Sequence, residues 1–455
     1  MDLSSYLQTS QSRHLQELLE FLRIPSISAL SEHANDTKRA AEFAAEKLKN
    51  LGFKTEIHPT AGHPVVAAEY LVNRALPTVL IYGHYDVQPP DPLDLWDSPP
   101  FEPVIKDGVI VARGSSDDKG QVYAHIKGAE SLLKTTQSLP VNLKFLIEGE
   151  EEIGSPNLSP FIEVHKHDLA ADVVLISDGA MFAPQTPTIT YGLKGLAYIE
   201  VHVKTANRDL HSGGFGGGVP NPINQLAKMI GKLHDDNGRV TVPGFYDAVI
   251  DISDAEKEAF AKVPFDEKTF CDEIGVTATP GEAGYSLLER LWARPTLDCN
   301  GIKGGFQGEG AKTVIAREAS AKISCRLVPD QDPEDIAQKL GNYLKQIAPA
   351  GVEVTITNLH GGYPALTSID SKSVRAAARA LQEVYGRDPL FTRTGGTIPV
   401  VSTFQNILAS EVVLVGFGLN SDAAHSPNEK FDLVNYYKGI ETSAALLKAF
   451  AGLKA

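Results

Sequence analysis

Apolar positions along this chain alternate between two periods. Residues 14–23 repeat with a helical period and stop before Pro25, and residues 37–50 do so again, with Asp36 as the expected N-cap and Gly52 just past the end. Short runs rich in β-branched residues follow at 65–72, 78–82, 143–147 and 173–176, with a helical pattern over 120–134 between the second and third. Apolar runs too continuous for a half-solvated strand, separated by helices, predict a buried α/β sheet of mixed or parallel order.

The middle of the chain has a different rhythm. Residues 196–204 alternate as a strand, 222–234 read as a helix, 312–316 and 321–328 as two strands, 333–347 as a helix and 352–357 as a last strand. This β-α-β-β-α-β order predicts a ferredoxin-like α+β domain, interrupted by an insertion over about 235–310. Helix and strand then alternate again at 374–385, 412–415 and 434–447. The expected organisation is a larger α/β domain in two parts, 1–189 and 364–455, with the α+β domain of 190–363 inserted between them.

Composition narrows the class. A chain of 455 residues with 42% hydrophobic and 22% charged content buries a large core and has room for two or three domains. A formal net charge of −15 argues against a nucleic-acid partner, which needs clustered Lys and Arg. No stretch reaches the roughly 18 apolar residues of a membrane span, and the start lacks a basic region followed by an apolar run. Cys271, Cys299 and Cys325 are odd in number and contain no CxxC pair, which fits a reducing, cytoplasmic setting better than a disulfide framework or a thiolate metal site.

The candidate chemistry stands where strands end. VLIYGHYDV terminates in His84 and Asp86, LKFLIEGEEEIGS runs into Glu148, Glu150, Glu151 and Glu152, and VVLISDG delivers Asp178. ARGSSDDKGQ adds Asp117 and Asp118 ahead of a helix, and NSDAAHSPNE adds His425. Taken singly, the acidic run reads as a solvated loop, Asp117 and Asp118 as helix N-terminal charges, and Asp178 as a turn residue. Taken together, carboxylates and histidines gathered beyond the carboxyl ends of buried strands would repel strongly without cations, and two histidines with several carboxylates suit zinc or manganese better than calcium.

The words GHYDVQP, SSDDKG, EGEEEIGS, SDG, DLHSGGFGG, AKTVIAR, GGTIPV and AHSPNE stand here in one order. In that order they resemble the dinuclear metallopeptidase family of cytosolic non-specific dipeptidase, carnosinase and their bacterial relatives, over about 20–450. The wider family also holds aminoacylases, desuccinylases and glutamate carboxypeptidases. The resemblance implies a mixed-sheet zinc-peptidase catalytic domain with an inserted ferredoxin-like lid that dimerises. It implies two divalent ions, zinc first and manganese second, with His84 and Asp178 on one, Glu152 and His425 on the other, and Asp117 bridging. Glu151 would be the general base on a water between the ions, Asp86 would orient His84, and the Asp117–Asp118 peptide would be cis. Arg326, Thr313 and Thr397 would contact substrate, and His211 would reach into the site of the partner in a homodimer. Asp178, where many deacylases have Glu, favours a small peptide with a free amino end. An N-acyl amino acid deacylase and a non-catalytic binding protein stay open as alternatives. Ser116, Thr397 and Ala423 depart from the Thr, Ser and Gly common in dipeptidases.

Overall fold

A computed structural model describes residues 1–396 and 398–454. The chain divides into two compact units, one of Met1–Tyr191, Thr367–Thr392 and Thr403–Ala455, the other of Gly192–Leu366 and Arg393–Ser402. Among the described residues no helix is long and apolar enough to cross a membrane.

In the first unit the opening helix spans Leu3–Leu22, about three turns ahead of the predicted start, because Asp2 caps it by accepting from the Ser5 N–H at 2.8 Å. The polar residues of its first turns gave no apolar stripe to read. The next helix, Ala34–Asn50, begins earlier than expected, so Asp36 lies inside its first turn, where its carboxylate meets His33 at 2.9 Å and Arg39 at 2.7 Å. Gly52, at φ +92°, reverses the chain after it.

The sheet of this unit runs Lys54–His58, Val65–Tyr70, Asn142–Glu148, Thr78–His84, Val173–Ile176, Glu411–Leu414 and Thr188–Leu193. Its first pairings are antiparallel, those from Asn142–Glu148 through Glu411–Leu414 are parallel, and Leu414 meets Thr190 antiparallel, so the sheet is mixed as expected. Residues of both parities are buried: Val79, Ile81, Phe145, Val173 and Leu175 join the main core with the helices, while Tyr82 on the opposite face packs its ring against Phe404. Burial on both faces is why these strands read as unbroken apolar runs. Parallel register aligns their carboxyl ends, His84 opposite Glu148, Tyr82 opposite Ile176 and Leu414 opposite Ile176.

The second unit contains a four-stranded antiparallel sheet in the order Thr296–Gly304, Glu318–Leu327, Gly195–Lys204, Glu353–Gly362, with the helices Pro222–Gly231 and Pro333–Ile347 on its apolar face. This is the ferredoxin-like order, with one correction. The motif's second strand is Thr296–Gly304, inside the stretch read as insertion, and the expected strand at 312–316 shrinks to Val314–Ile315, paired with Leu210–His211. Thr296–Gly304 is an exposed edge with a register shift between Cys299 and Gly301, so it lacks the alternation that marks a strand in sequence.

Candidate metal centre

Parallel strands deliver the first groups. His84 closes the strand Thr78–His84 and is fully buried. Gly83 precedes it because a Cβ there would stand 2.6 Å from Asp118 Oδ2 and 2.8 Å from Val122, so the strand can approach the helix Lys119–Thr136 only as glycine. His84 Nδ1 lies 3.0 Å from the Asp86 carbonyl and 3.4 Å from its Oδ1, which orients the ring with Nδ1–H as donor and turns Nε2 toward Asp117. Asp86, also fully buried, accepts from the Glu151 N–H at 3.2 Å and the Glu152 N–H at 3.1 Å, tying the ends of two neighbouring strands together.

The acidic run is not a solvated loop. Glu148 and Glu150 are buried, and the Glu152 carboxylate is 3% exposed and accepts from Gln88 Nε2 at 2.9 Å. Nor do Asp117 and Asp118 serve the helix as side-chain caps: Asp118 accepts from the His84 N–H at 3.2 Å, and the Asp117–Asp118 peptide is cis.

Asp117 faces two histidines with its two oxygens. Oδ1 lies 3.1 Å from His84 Nε2 and Oδ2 lies 2.9 Å from His425 Nε2. His425 Nε2 is also 3.0 Å from Glu152 Oε2, and His84 Nε2 is 3.9 Å from Asp178 Oδ2. Ligand atoms of His84, Asp117 and Glu152, and of His84, Glu151 and Asp178, lie within 4.8 Å of one another. His425 sits at φ +63° in a loop where Ala423 and Asn428 are also left-handed, at +57° and +61°. Arg113, Gly114, Ser116 and Asp117 surround the buried carboxylate of Glu429.

Electrostatics set these groups against one another. Burial, then the negative charges of Asp178, Glu152 and Asp117, push the Glu151 carboxyl up to about 9. Burial and the Asp117 charge raise Asp178 to about 7. Burial pulls against it, yet hydrogen bonds to His425 and His84 hold Asp117 below the ordinary carboxylate range. Hydrogen bonds to Asp117 and Glu152 raise His425 to about 10. His84 rises well above its usual value although burial opposes this, because Asp117 and Asp86 bond to it. Burial lifts Glu429 to about 7, against the pull of the Arg113 guanidinium and the peptide N–H groups. Protons are thus drawn into the cluster by charges that divalent cations would compensate instead, and two imidazoles with four carboxylates are a donor set that fits such ions.

Of the residues singled out in the sequence, His84, Asp86, Asp117, Glu151, Glu152, Asp178 and His425 come together here. In the second unit, His211 is exposed beside the glycine-rich turn and its Nδ1 accepts from the Gly213 N–H at 3.0 Å, so the neutral ring carries its proton on Nε2. Thr313 is exposed next to it, its carbonyl accepting from Ser212 N–H at 3.1 Å. Arg326 is half-buried in the strand Glu318–Leu327, opposite Leu196 and Thr296. Thr397 lies outside the described residues. The residues that sequence reasoning passed over are Gln88, Glu429 and Asp422. All three stand inside quoted stretches, but only folding shows which groups they meet.

A model of peptidase family M20/M25/M40 matches residues 80–449. Human Beta-Ala-His dipeptidase is 33% identical over 466 aligned positions, covering 98% of this chain and 92% of that protein. Cys-Gly metallodipeptidase dug1 of Schizosaccharomyces pombe is 32% identical, covering 96% of each. Among solved structures, the M20 family metallo-carboxypeptidase Sso-CP2 from Sulfolobus solfataricus superposes with a TM-score of 0.84 at 37% identity, over 96% of this chain and 99% of that one. Matched by the family over most of its length and by relatives at nearly full length, the chain belongs to peptidase family M20/M25/M40, the hydrolase family to which its motifs pointed.

Proposed function

We propose that this chain hydrolyses the amide bond of dipeptides or short peptides with a free amino end, using two divalent metal ions, zinc first and manganese second. The observation that carries the proposal is Asp117, whose oxygens face His84 at 3.1 Å and His425 at 2.9 Å with Asp178 and Glu152 alongside. One ion would be held by His84 and Asp178, the other by His425 and Glu152, and Asp117 would be shared. Bound there, the ions would lower the pKa of an attacking water and offset negative charge growing on the carbonyl oxygen.

The remaining work falls to side chains. Glu151 takes the proton from the attacking water and hands it to the leaving amine, and its raised carboxyl, about 9 without cations, reflects surroundings that favour holding a proton. Asp86 keeps the His84 Nε2 lone pair outward through its contacts to Nδ1. Arg326 pairs the substrate's terminal carboxylate through its planar fork, with Thr313 and Thr397 as further contacts. His211, whose proton is on Nε2, donates to the developing oxyanion of a partner subunit in a homodimer built through the second unit, which thereby acts as lid and dimerisation domain. A cytoplasmic location, favoured by the odd set of thiols, belongs to the same proposal.

The likeness to a metallo-carboxypeptidase favours one second reading, removal of C-terminal residues from longer or N-blocked peptides. Release from unblocked dipeptides, longer peptides, N-blocked dipeptides and N-acetyl or N-succinyl amino acids, with and without chelator, separates the readings. Unblocked dipeptides are expected to be turned over at least tenfold faster than the rest, and chelation to abolish it. Faster turnover of blocked or longer peptides would move the assignment to a carboxypeptidase, and of N-acyl amino acids to a deacylase.

A further inference from the structure

Glu429 is fully buried, four residues after His425, and its carboxylate gathers donors from a different segment. Oε2 accepts from Arg113 Nη1 at 2.8 Å and from the Gly114 N–H at 2.9 Å, and Oε1 from the Ser116 N–H at 2.9 Å and the Asp117 N–H at 3.0 Å. Its carbonyl accepts from the Ala112 N–H at 3.0 Å, and the strand Lys430–Asp432 continues antiparallel to Val109–Val111. A second tie joins the same loops: Ser116 Oγ donates to Asp422 Oδ2 at 3.0 Å, and that oxygen also accepts from the Leu419 N–H at 2.8 Å.

An ordinary buried ion pair would need only the Arg113 guanidinium. Here three of the four donors are peptide N–H groups of the loop that presents Asp117, one of them Asp117's own. Such amides, if left unpaired in the interior, would each be costly, and charge-assisted bonds to one rigid carboxylate fix the turn at Gly114, which lies at φ +85°. Because the same residue belongs to the segment that carries His425, it sets both partners of the Asp117–His425 contact in one frame. We propose that Glu429 is a positioning residue for the metal centre, holding Asp117 and His425 at the spacing that lets them share ions. The proposal rests on the reading that these two residues ligate metal. Groups that orient ligands in this way are typically worth about 10- to 100-fold in metal affinity or activity.

The test is a Co²⁺ titration of the chelated full-length protein, followed by visible absorption and by metal content after dialysis, with thermal unfolding and steady-state kinetics alongside. Wild type is compared with Glu429→Gln, Glu429→Asp and, as a control for general loss of stability, Glu130→Gln, eleven residues along the helix Lys119–Thr136. Glu429→Gln is expected to bind Co²⁺ about 10- to 100-fold more weakly with an altered visible spectrum, and to lose kcat at saturating metal with little change in KM. Glu429→Asp should recover part of both, and Glu130→Gln should unfold earlier yet keep wild-type affinity and spectrum. Wild-type Co²⁺ affinity and spectrum in Glu429→Gln, whatever its unfolding temperature, would overturn the positioning role while leaving the metal reading intact. Failure of the wild type to take up Co²⁺ would overturn that reading, and the positioning role with it. Should Glu429→Gln not fold, Glu429→Asp decides on the same two readouts, since it keeps the charge but withdraws it by one methylene.

Discussion

Glu151 and Glu152 are neighbours in sequence but face different partners. Glu152 Oε2 lies 3.0 Å from His425 Nε2 and accepts from Gln88, whereas Glu151 groups with His84 and Asp178. Glu151→Gln is therefore expected to keep both metals while kcat falls about 10²- to 10⁴-fold, and Glu152→Gln to lose metal as well. Metal analysis beside kinetics separates them, and near-normal turnover in Glu151→Gln would refute the assignment of the base. The same cluster predicts a pH dependence. Without cations Glu151 titrates near 9 and His425 near 10, both above their ordinary values of 4.5 and 6.5, so the folded metal-free protein holds protons that the unfolded chain has released. Their contribution to stability is present below those ordinary values and is lost as pH rises toward 9 and 10. Ions must displace the same protons, so apparent metal affinity should climb from pH 7 to 9, by about tenfold per pH unit for each proton released. The shift in unfolding temperature on adding metal should accordingly be larger at pH 8.5 than at pH 7, and an equal shift at both would show that these protons are not displaced.

Among the elements, the helix Lys119–Thr136 does more than follow the Asp117 loop. Its Glu130, with a side chain 5% exposed, bonds Lys127 at 2.6 Å, Tyr6 at 2.8 Å and the Arg13 guanidinium, and Lys127 pairs with Glu17, so the first helix is fastened to this one through a network buried at Glu130 and Lys127 and open to solvent at Arg13. Although burial opposes it, bonds to His14, Arg13 and Lys127 hold Glu130 below the ordinary carboxylate value of 4.5, so its stabilisation is present above that pH and fades as pH falls. Removing its charge leaves Arg13 and Lys127 to share Glu17 alone. Glu130→Gln should cost about 3 kcal/mol in urea unfolding at pH 7. A loss under about 0.5 kcal/mol, the range of an exposed pair, would contradict this. The sequence showed that helix, since Val122, Ile126 and Ala129 recur at helical spacing, but not the network, because Arg13, Glu17, Lys127 and Glu130 look like any solvated helix charges. The parallel strands were legible for the opposite reason: burial on both faces leaves an unbroken apolar signature. Thr296–Gly304 was missed because an exposed edge strand is stabilised by backbone pairing that side chains do not report. At the centre itself, His84, Asp86 and Asp178 could be placed because they terminate apolar runs, whereas the roles of Gln88, Asp422 and Glu429 depend on loops meeting from opposite ends of the chain.

At the scale of the whole molecule, the seven site residues of the first unit would supply metal ligands and base but no neutral donor for an oxyanion, a task we assign to His211 of a second copy. Five glycines, Gly213, Gly214, Gly216, Gly217 and Gly218, follow His211, a turn that can lie close against another backbone. The Gly213 N–H bond to Nδ1 leaves Nε2–H as the outward donor, the tautomer that an oxyanion requires. His211→Ala should then reduce kcat by about 10²- to 10³-fold with metal content unchanged. A closed two-fold dimer makes the decisive experiment complementation, since each of its two sites would draw the base from one copy and the donor from the other. Inactive His211→Ala chains mixed with inactive Glu151→Gln chains, under conditions shown to exchange subunits, form mixed dimers in which one site has both intact Glu151 and intact His211, while the other lacks both. Activity should rise toward a quarter of the wild-type level, because about half the dimers are mixed at equal ratio and each regains one of two sites. If the donor instead worked within its own chain, no mixed dimer would contain a complete site, and activity would stay at the level of the separate variants.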